Sequence, residues 1–178
     1  MSTFVIQNNT MLESLITSKT RIRLLVKFFI NAANAGYLPG LATEMNENTN
    51  AIRKELNNLS EAGYITREVL ASKVMYRANI EHPLFSSLQQ LIRKHIGIDH
   101  IIVQILERMG EVSRIYIIGD YAHGIDSGAI EVVVEGPVLD ENYIQQLLPK
   151  IKNEIHKEVK VQITPLFLGD GLLIFENN

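Results

Sequence analysis

Cysteine is absent from the 178 residues of this chain. Without thiols there are no disulfides, no thiolate metal sites, no cysteine nucleophile and no thiol redox chemistry, which agrees with a cytoplasmic setting. Long apolar runs are lacking too: none approaches the roughly 18–20 residues that a membrane-spanning helix needs. The first residues do not form a basic-then-apolar signal segment, so the expectation is a cytoplasmic chain with no membrane partner. Five histidines are scattered at His82, His95, His100, His123 and His156, which is not a metal-holding pattern, and neither a metal nor another cofactor is expected. What is present is an ordinary globular composition, 46% hydrophobic and 21% charged, with enough apolar residues to bury a core.

Charge is unevenly distributed. The formal net charge of −3 divides into nine Lys/Arg against seven Asp/Glu over residues 1–82, and eight against thirteen over residues 83–178. The first part is mildly basic and the second acidic, and the texture of the sequence changes at the same place. The expected organisation is α+β with two domains: 1–82, a linking or dimerisation helix over 83–97, and 98–178. Nucleic-acid binding depends on a local patch of positive charge and not on the total.

Near the N-terminus Met11, Leu12, Leu15 and Ile16 are spaced as one turn of an amphipathic helix. Thr20 is a candidate cap for a second helix. There Ile22, Leu24, Leu25, Phe28 and Phe29 form the apolar side, and Arg21, Arg23 and Lys27 are expected to stay in water, with Gly36 ending the region. Residues 38–46 read as a short helix with Leu41, Ala42 and Met45 inward, followed by the polar turn Asn46-Glu47-Asn48. Asn48 or Thr49 can cap the next helix, in which Ile52, Leu56 and Leu59 recur at i, i+4 and i+7 and must face the core.

That assignment leaves Thr49, Asn50, Arg53, Lys54 and Asn57 outward, the first of them at the helix N-terminus, where a DNA-reading helix presents side chains to the major groove. Asn and Arg can each make two hydrogen bonds to a purine edge, and Lys54 suits a phosphate. Gly63 closes the helix, and residues 64–68 and 73–78 read as two strands around a turn near Ala71-Ser72. Arg67, Lys73 and Arg77 on this hairpin are placed to reach the flanking backbone or minor groove. The run from Leu38-Pro39-Gly40-Leu41 through Thr49-Asn50-Ala51-Ile52-Arg53-Lys54 to Gly63-Tyr64-Ile65 resembles the winged helix-turn-helix repressors of the ArsR-like type. The resemblance covers about sixty residues and implies a DNA-binding fold; the metal-sensing members' cysteine and histidine clusters are missing.

In the second part Pro83 can open a helix with Leu84, Leu88, Leu91, Ile92 and Ile96 on one face, up to Gly97. Helix over 101–109, strands over 114–118 and 130–135, helix over 140–157 and strands over 159–164 and 171–175 then give an α/β alternation with a mixed sheet. The stretch Gly119-Asp120-Tyr121-Ala122-His123-Gly124, followed by Ser127-Gly128-Ala129-Ile130-Glu131, resembles the nucleotidyltransferase superfamily, whose motif is Gly-Ser-x-Ala-x-Gly and then Ser-Asp-x-Asp entering a strand. The resemblance implies a glycine turn for triphosphate at Gly119 and Gly124 and a magnesium site of paired carboxylates. Here Asp120 stands where the motif has its Ser, Ser127 precedes the strand, Ala129 replaces the first metal carboxylate and Glu131 falls at the second. The third acid of the family meets Lys160 and Gln162. Asp126, in the loop, is the one substitute for the missing acid.

The expected function is a DNA-binding transcriptional regulator, a homodimer on double-stranded DNA, whose second domain is nucleotidyltransferase-like without catalysis. That domain is expected to serve dimerisation, sensing of a small-molecule or nucleotide effector, or partner contact, and the chain is not expected to be an enzyme. Two other classes stay open: an active nucleotidyltransferase targeted by the winged helix, marked by magnesium-dependent transfer, and a protein–protein adaptor, marked by failure to bind DNA.

Overall fold

The computed structural model describes residues 8–178, with backbone alone for 8–11, so the side chain of Met11 lies outside the described residues. Helices and sheets are mixed along the chain, which divides into two compact units. One comprises residues 12–92 with 123–125, and the other 93–122 with 126–178. The division passes through a helix, Phe85–Ile96.

The first unit takes α1 (Asn8–Leu15) from Leu12 on, and α2 (Lys19–Phe29). Leu12 is buried, but Leu15 is 75% exposed, so the expected stripe of α1 does not close on a single core. Ser18, two residues ahead of the expected Thr20, caps α2 by accepting the Arg21 N–H at 3.1 Å. α2 stops at Phe29 and not at Gly36. Gly36 lies in a short strand, β1 (Ala35–Tyr37), where Leu41 occupies the space a side chain would need. α3 (Leu38–Met45) carries Pro39 in its first turn and ends at Asn46 in the left-handed conformation. α4 (Thr49–Glu61) follows, then β2 (Ile65–Leu70) and β3 (Lys73–Ala78).

The apolar spacing of these helices produces their burial. Leu24, Phe28, Phe29, Leu41, Ile52 and Leu56 are all essentially inaccessible, and a repeat of 3.6 residues brings each set onto one helix side. Met45, expected inward, is half-buried. The three strands form an antiparallel sheet in the order β1-β3-β2. The tight turn between β2 and β3 places Ala71 at φ 47° and Ser72 at φ 65°, the two consecutive left-handed residues of the mirror-image hairpin turn. α5 (Phe85–Ile96) starts two residues after Pro83, because the preceding turn is tied by the Phe85 N–H to the His82 carbonyl at 2.9 Å. Leu84 is 47% exposed in consequence, whereas Ile92 and Ile96 are buried.

The second unit holds α6 (Ile98–Arg108), β4 (Gly110–Glu111), β5 (Arg114–Ile118), α7 (Gly119–Ala122), β6 (Ala129–Glu135), β7 (Val138–Leu139), α8 (Glu141–Ile155), β8 (Glu158–Thr164) and β9 (Leu172–Glu176). Asp140 caps α8 by accepting two N–H groups, and Tyr143, Leu147, Ile151 and Ile155 recur every four residues on its buried side. The four-stranded sheet has the order β8-β6-β5-β9. β6 and β8 are parallel, joined through α8, while β5 is antiparallel to both neighbours, so the sheet is mixed. Ile115, Ile117, Ile130, Val132, Val134 and Val159 are buried on one face of it. Registered side by side on the other face are Ile118, Glu131 and Lys160. β4 and β7 pair over two residues each, too short a stretch for any sequence pattern. Among the described residues no helix is long and apolar enough to cross a membrane.

Left-handed backbone at two residues with Cβ atoms costs roughly 1 kcal/mol each. Replacing Ala71-Ser72 by Asn-Gly is expected to raise unfolding stability by about 1 kcal/mol, read as a higher urea midpoint at unchanged slope; a lower midpoint would contradict this turn geometry.

Candidate nucleic-acid interface

α4 is built from its cap and its stripe. The Asn48 side chain accepts the Asn50 N–H at 2.7 Å, which fixes the first turn, and Ile52, Leu56 and Leu59 anchor the helix in the core. The opposite side is then set by the helical repeat. Thr49, Asn50, Arg53, Lys54 and Asn57 are all exposed, as the spacing predicts. Asn50, Lys54 and Asn57 lie in a row at i, i+4 and i+7, Glu61 continues that row at i+11, and Arg53 flanks it. Arg53 donates to the Asn50 Oδ1 at 3.1 Å.

Between the buried apolar residues sits Glu55, 6% exposed, which the periodicity reading passed over. Its carboxylate accepts from the Ser18 hydroxyl at 2.8 Å and the Arg21 Nε at 2.7 Å. Burial alone pushes this carboxyl up, but the hydrogen bonds from Arg21 and Ser18 and the Arg21 charge outweigh it, and Glu55 titrates below the ordinary carboxylate range. Two further cations of α2 are committed in the same way, whereas Lys19 at its start is exposed and, among the described residues, in no ion pair. Lys27, expected in water, is buried with its ammonium 2.8 Å from the Glu44 carboxylate. Arg23 bonds the Met45 carbonyl at 3.2 Å and approaches Glu47 at 3.4 Å. A helix capped at Ser18 turns these three side chains toward acids on α3, the turn and α4.

The cations of α4 and the hairpin are uncommitted, as is Lys19. Among the described residues, Arg53, Lys54, Arg67, Lys73 and Arg77 stand in no ion pair. The hairpin register nevertheless separates three of them. Arg67 is opposite Tyr76, and Ile65 opposite Ala78, so Arg67 lies on the sheet face that turns toward the core and α4. There it lines a cleft of about 280 Å³ with Asn57, Ser60 and Glu61. Arg77 and Lys73, opposite Thr66 and Leu70, belong to the other face, and Lys73 stacks its ammonium 4.4 Å from the Tyr37 ring. Arg67 therefore joins the α4 row, whereas Lys73 and Arg77 do not.

The second set of sequence-selected residues is placed by β5, α7 and β6. Gly119 and Asp120 open the single turn of α7 directly after β5, and Ser127 is exposed in the loop before β6. Gly119 has its φ at 66° and the Glu131 carboxylate where a side chain would stand. At Gly124 the missing side chain makes room for the Lys27 backbone, so that glycine serves close chain packing. Glu131 is registered across the parallel pair from Lys160, and the two side chains meet at 3.3 Å. A cation, Lys160, thus faces Glu131 across the strands. Asp126 is equally engaged: it accepts the Tyr121 hydroxyl and lies 3.4 Å from the buried Lys157 ammonium. Among the described residues no three His, Cys, Asp or Glu side chains gather as a metal-holding group.

Tyr121 and Lys157 had no sequence signal, since neither falls in a periodic pattern that marks it as buried. Tyr121 is fully enclosed, and its hydroxyl both donates to Asp126 and accepts the Gly128 N–H at 3.2 Å. Burial, then the bond to Asp126, pushes its ionisation far above the ordinary phenol range.

Two titration outcomes follow from these directions. Glu55 has a folded pKa below its unfolded one, so its contribution is complete above the ordinary value of about 4.3 and is lost as pH falls through the folded value. Glu55→Gln is expected to cost about 2 kcal/mol at pH 7 and to flatten the acid limb of a stability–pH curve; an unchanged acid limb contradicts the pairing. For Tyr121 the sign reverses: its contribution is complete below about pH 10 and fades above, as the unfolded chain ionises first. Tyr121→Phe is expected to cost about 1–2 kcal/mol near neutral pH and to shrink the loss of stability on the alkaline side, measured by denaturant titration at each pH. Comparison of the chain with family models, with curated protein sequences and with solved structures gave no match.

Proposed function

We propose that this chain is a cytoplasmic, DNA-binding transcriptional regulator that acts as a homodimer. In this reading residues 20–80 form a winged helix-turn-helix of the ArsR-like type, α4 enters the major groove, and the hairpin is the wing. One observation carries it: Arg21, Arg23 and Lys27 of α2 are engaged by internal acids, while Asn50, Arg53, Lys54 and Asn57 on α4, with Arg67 beside them, face solvent without a carboxylate partner. Unpaired positive charge with carboxamides beside it is thus presented on the side where a helix can lie against phosphates and base edges. Glu61 closes this row, and a polyanion must pass it at the helix C-terminal end.

The other unit is, on the same reading, a nucleotidyltransferase-like module used for dimerisation or for sensing a small molecule or nucleotide. The Glu131–Lys160 pair supports this, because an ammonium beside the one remaining carboxylate competes directly with a magnesium ion for it. Magnesium-dependent transfer of labelled nucleotide that disappears in Glu131→Gln would overturn this assignment. A protein–protein adaptor is favoured by a different observation, the exposed apolar hairpin tip of Val69, Leu70 and Val74.

The deciding experiment is a mobility-shift assay with duplex genomic fragments at about 50 mM salt, where phosphate attraction is strong. Retardation is expected, with Lys54→Ala weakening all sequences alike and lowering the salt slope by about one. Arg67→Ala is expected to weaken binding more than Arg77→Ala, since only Arg67 shares the α4 side. No retardation of any duplex rejects the regulator reading and leaves the adaptor.

A further inference from the structure

The two edges of the four-stranded sheet are finished differently. An open strand edge is a template for another strand, and folded proteins blunt it with bulges, proline, inward-pointing charge or cover. β9 is bulged at Ile174 against β5, and the Ile174 carbonyl accepts from the Arg93 guanidinium at 3.2 Å. β8 carries no such device. It is seven residues long, pairs with β6 without a break in register, and among the described residues no strand pairs with its outer side. The Glu158 N–H reaches the Gly128 carbonyl at 3.0 Å, and the Thr164 carbonyl accepts the Gly136 N–H at 3.1 Å, so the even-numbered residues of β8 bond toward β6. The N–H and C=O groups of Val159, Val161 and Ile163 therefore point to the open edge. Their side chains lie on the face that α8 covers, where Val159 is buried but Val161 and Ile163 are only half-buried. α8 shows the same asymmetry. Lys150 and Glu154, on one flank of its buried line, pair with Glu107 and His100 of α6, while Ile144 and Leu148 on the other flank are half-buried.

We infer that two copies of this chain join edge to edge through antiparallel β8 strands, which makes one continuous sheet of the two. This rests on the homodimer of the reading above and not on its DNA binding. A two-fold axis normal to the sheet keeps each side chain on its own face, so a residue can meet only one of like parity in the second copy. Centring the pair on Val161 sets Val161 against Val161 of the second copy and Val159 against its Ile163. Each of these pairs exchanges two hydrogen bonds through the outward backbone groups. On the other face Lys160 meets Gln162 of the second copy and Glu158 meets its Thr164, with no like charges directly opposed. The neighbouring registers are worse. Centring on Lys160 sets that cation against its own copy, and centring on Gln162 sets Val159 against Pro165, which has no N–H to give. The open edge of β2 in the first unit fails the same requirement, because centring that strand on itself sets Arg67 against Arg67 or Glu68 against Glu68. Joining at β8 also extends the half-buried line of Val161 and Ile163 into that of the second copy.

The test is analytical ultracentrifugation of the full chain in the absence of DNA, where a dimer is expected at about 100 µM. Val161→Pro deletes an outward donor and leaves the bonds to β6 in place. It is expected to weaken the dimer about tenfold or more, with far-ultraviolet circular dichroism unchanged. Gln162 is exposed, so its variants leave the core alone and decide the matter should Val161→Pro not fold. Gln162→Glu sets a carboxylate against Lys160 of the second copy and is expected to tighten the dimer about threefold to tenfold, and Gln162→Lys to loosen it by a similar factor. Val161→Cys introduces a single thiol into a chain without cysteine. Mild oxidation is expected to link two copies through it, since a hydrogen-bonded antiparallel pair holds its Cα atoms about 5.5 Å apart. A wild type that sediments as a monomer overturns this inference and the homodimer together. A dimer that is indifferent to both Gln162 variants, or that Val161→Cys does not link, overturns the β8 interface while the homodimer stands on another surface. Retardation of DNA is decided separately by the assay above.

Discussion

Three cations on α2 hold the first unit in its arrangement. Arg21 meets Glu55 of α4, Arg23 meets Glu47 in the turn, and Lys27 meets Glu44 of α3. Two of the three acids or their partners are nearly enclosed: the Glu55 side chain is 8% exposed and that of Lys27 also 8%. A half-buried pair of this kind adds little net stability over apolar packing, yet removing one partner strands the other, at a cost of about 2 kcal/mol. Its effect is to make alternative placements of α3 and α4 against α2 expensive. The apolar stripe of Ile52, Leu56 and Leu59 would tolerate some rotation of α4 about its axis; the carboxylate of Glu55, reaching Ser18 and Arg21, would not.

That constraint decides where the remaining charge goes. With Arg21, Arg23 and Lys27 satisfied internally, the outward side of α4 offers unpaired positive charge together with carboxamides. Charge complementarity to a polyanion and hydrogen-bonding capacity to bases then coincide on one helix side. The hairpin contributes unequally, because a two-residue turn fixes the register of β2 and β3, and a period of two sends neighbouring side chains to opposite faces. Arg67 is directed to the α4 side by the same register that buries Ile65 and Ala78.

The second unit uses its ionisable groups in a comparable manner. Glu131 faces Lys160 across two parallel strands, Asp126 lies between Tyr121 and Lys157, and the buried Glu135 accepts from Arg114 at 3.2 Å and from the Phe167 N–H at 2.9 Å. Glu131 and Asp126, beside the glycine turn, are thereby taken by structural partners, while Asp120 in the turn is exposed. A catalytic carboxylate must instead be left free to bind metal or proton, and the glycines follow the same tendency, their missing side chains accommodating Glu131 and the Lys27 backbone.

The sequence by itself determined whatever depends on near neighbours. A cap at Asn48 or Thr49, the repeat of Ile52, Leu56 and Leu59, the strand pair around Ala71-Ser72 and the alternation of helix and strand in the second part were all legible, because each is written within one or two turns of chain. Only the tertiary structure decided the rest. The burial of Lys27 depends on an acid 17 residues away, and that of Glu55 on a hydroxyl 37 residues away. The strand character of Gly36 and the two-residue pairing of β4 with β7 depend on partners remote in sequence, as does the parting of Arg67 from Lys73 and Arg77. A side chain's charge is fixed by its type, but whether that charge is spent inside or offered outside is fixed by which distant group the fold sets against it.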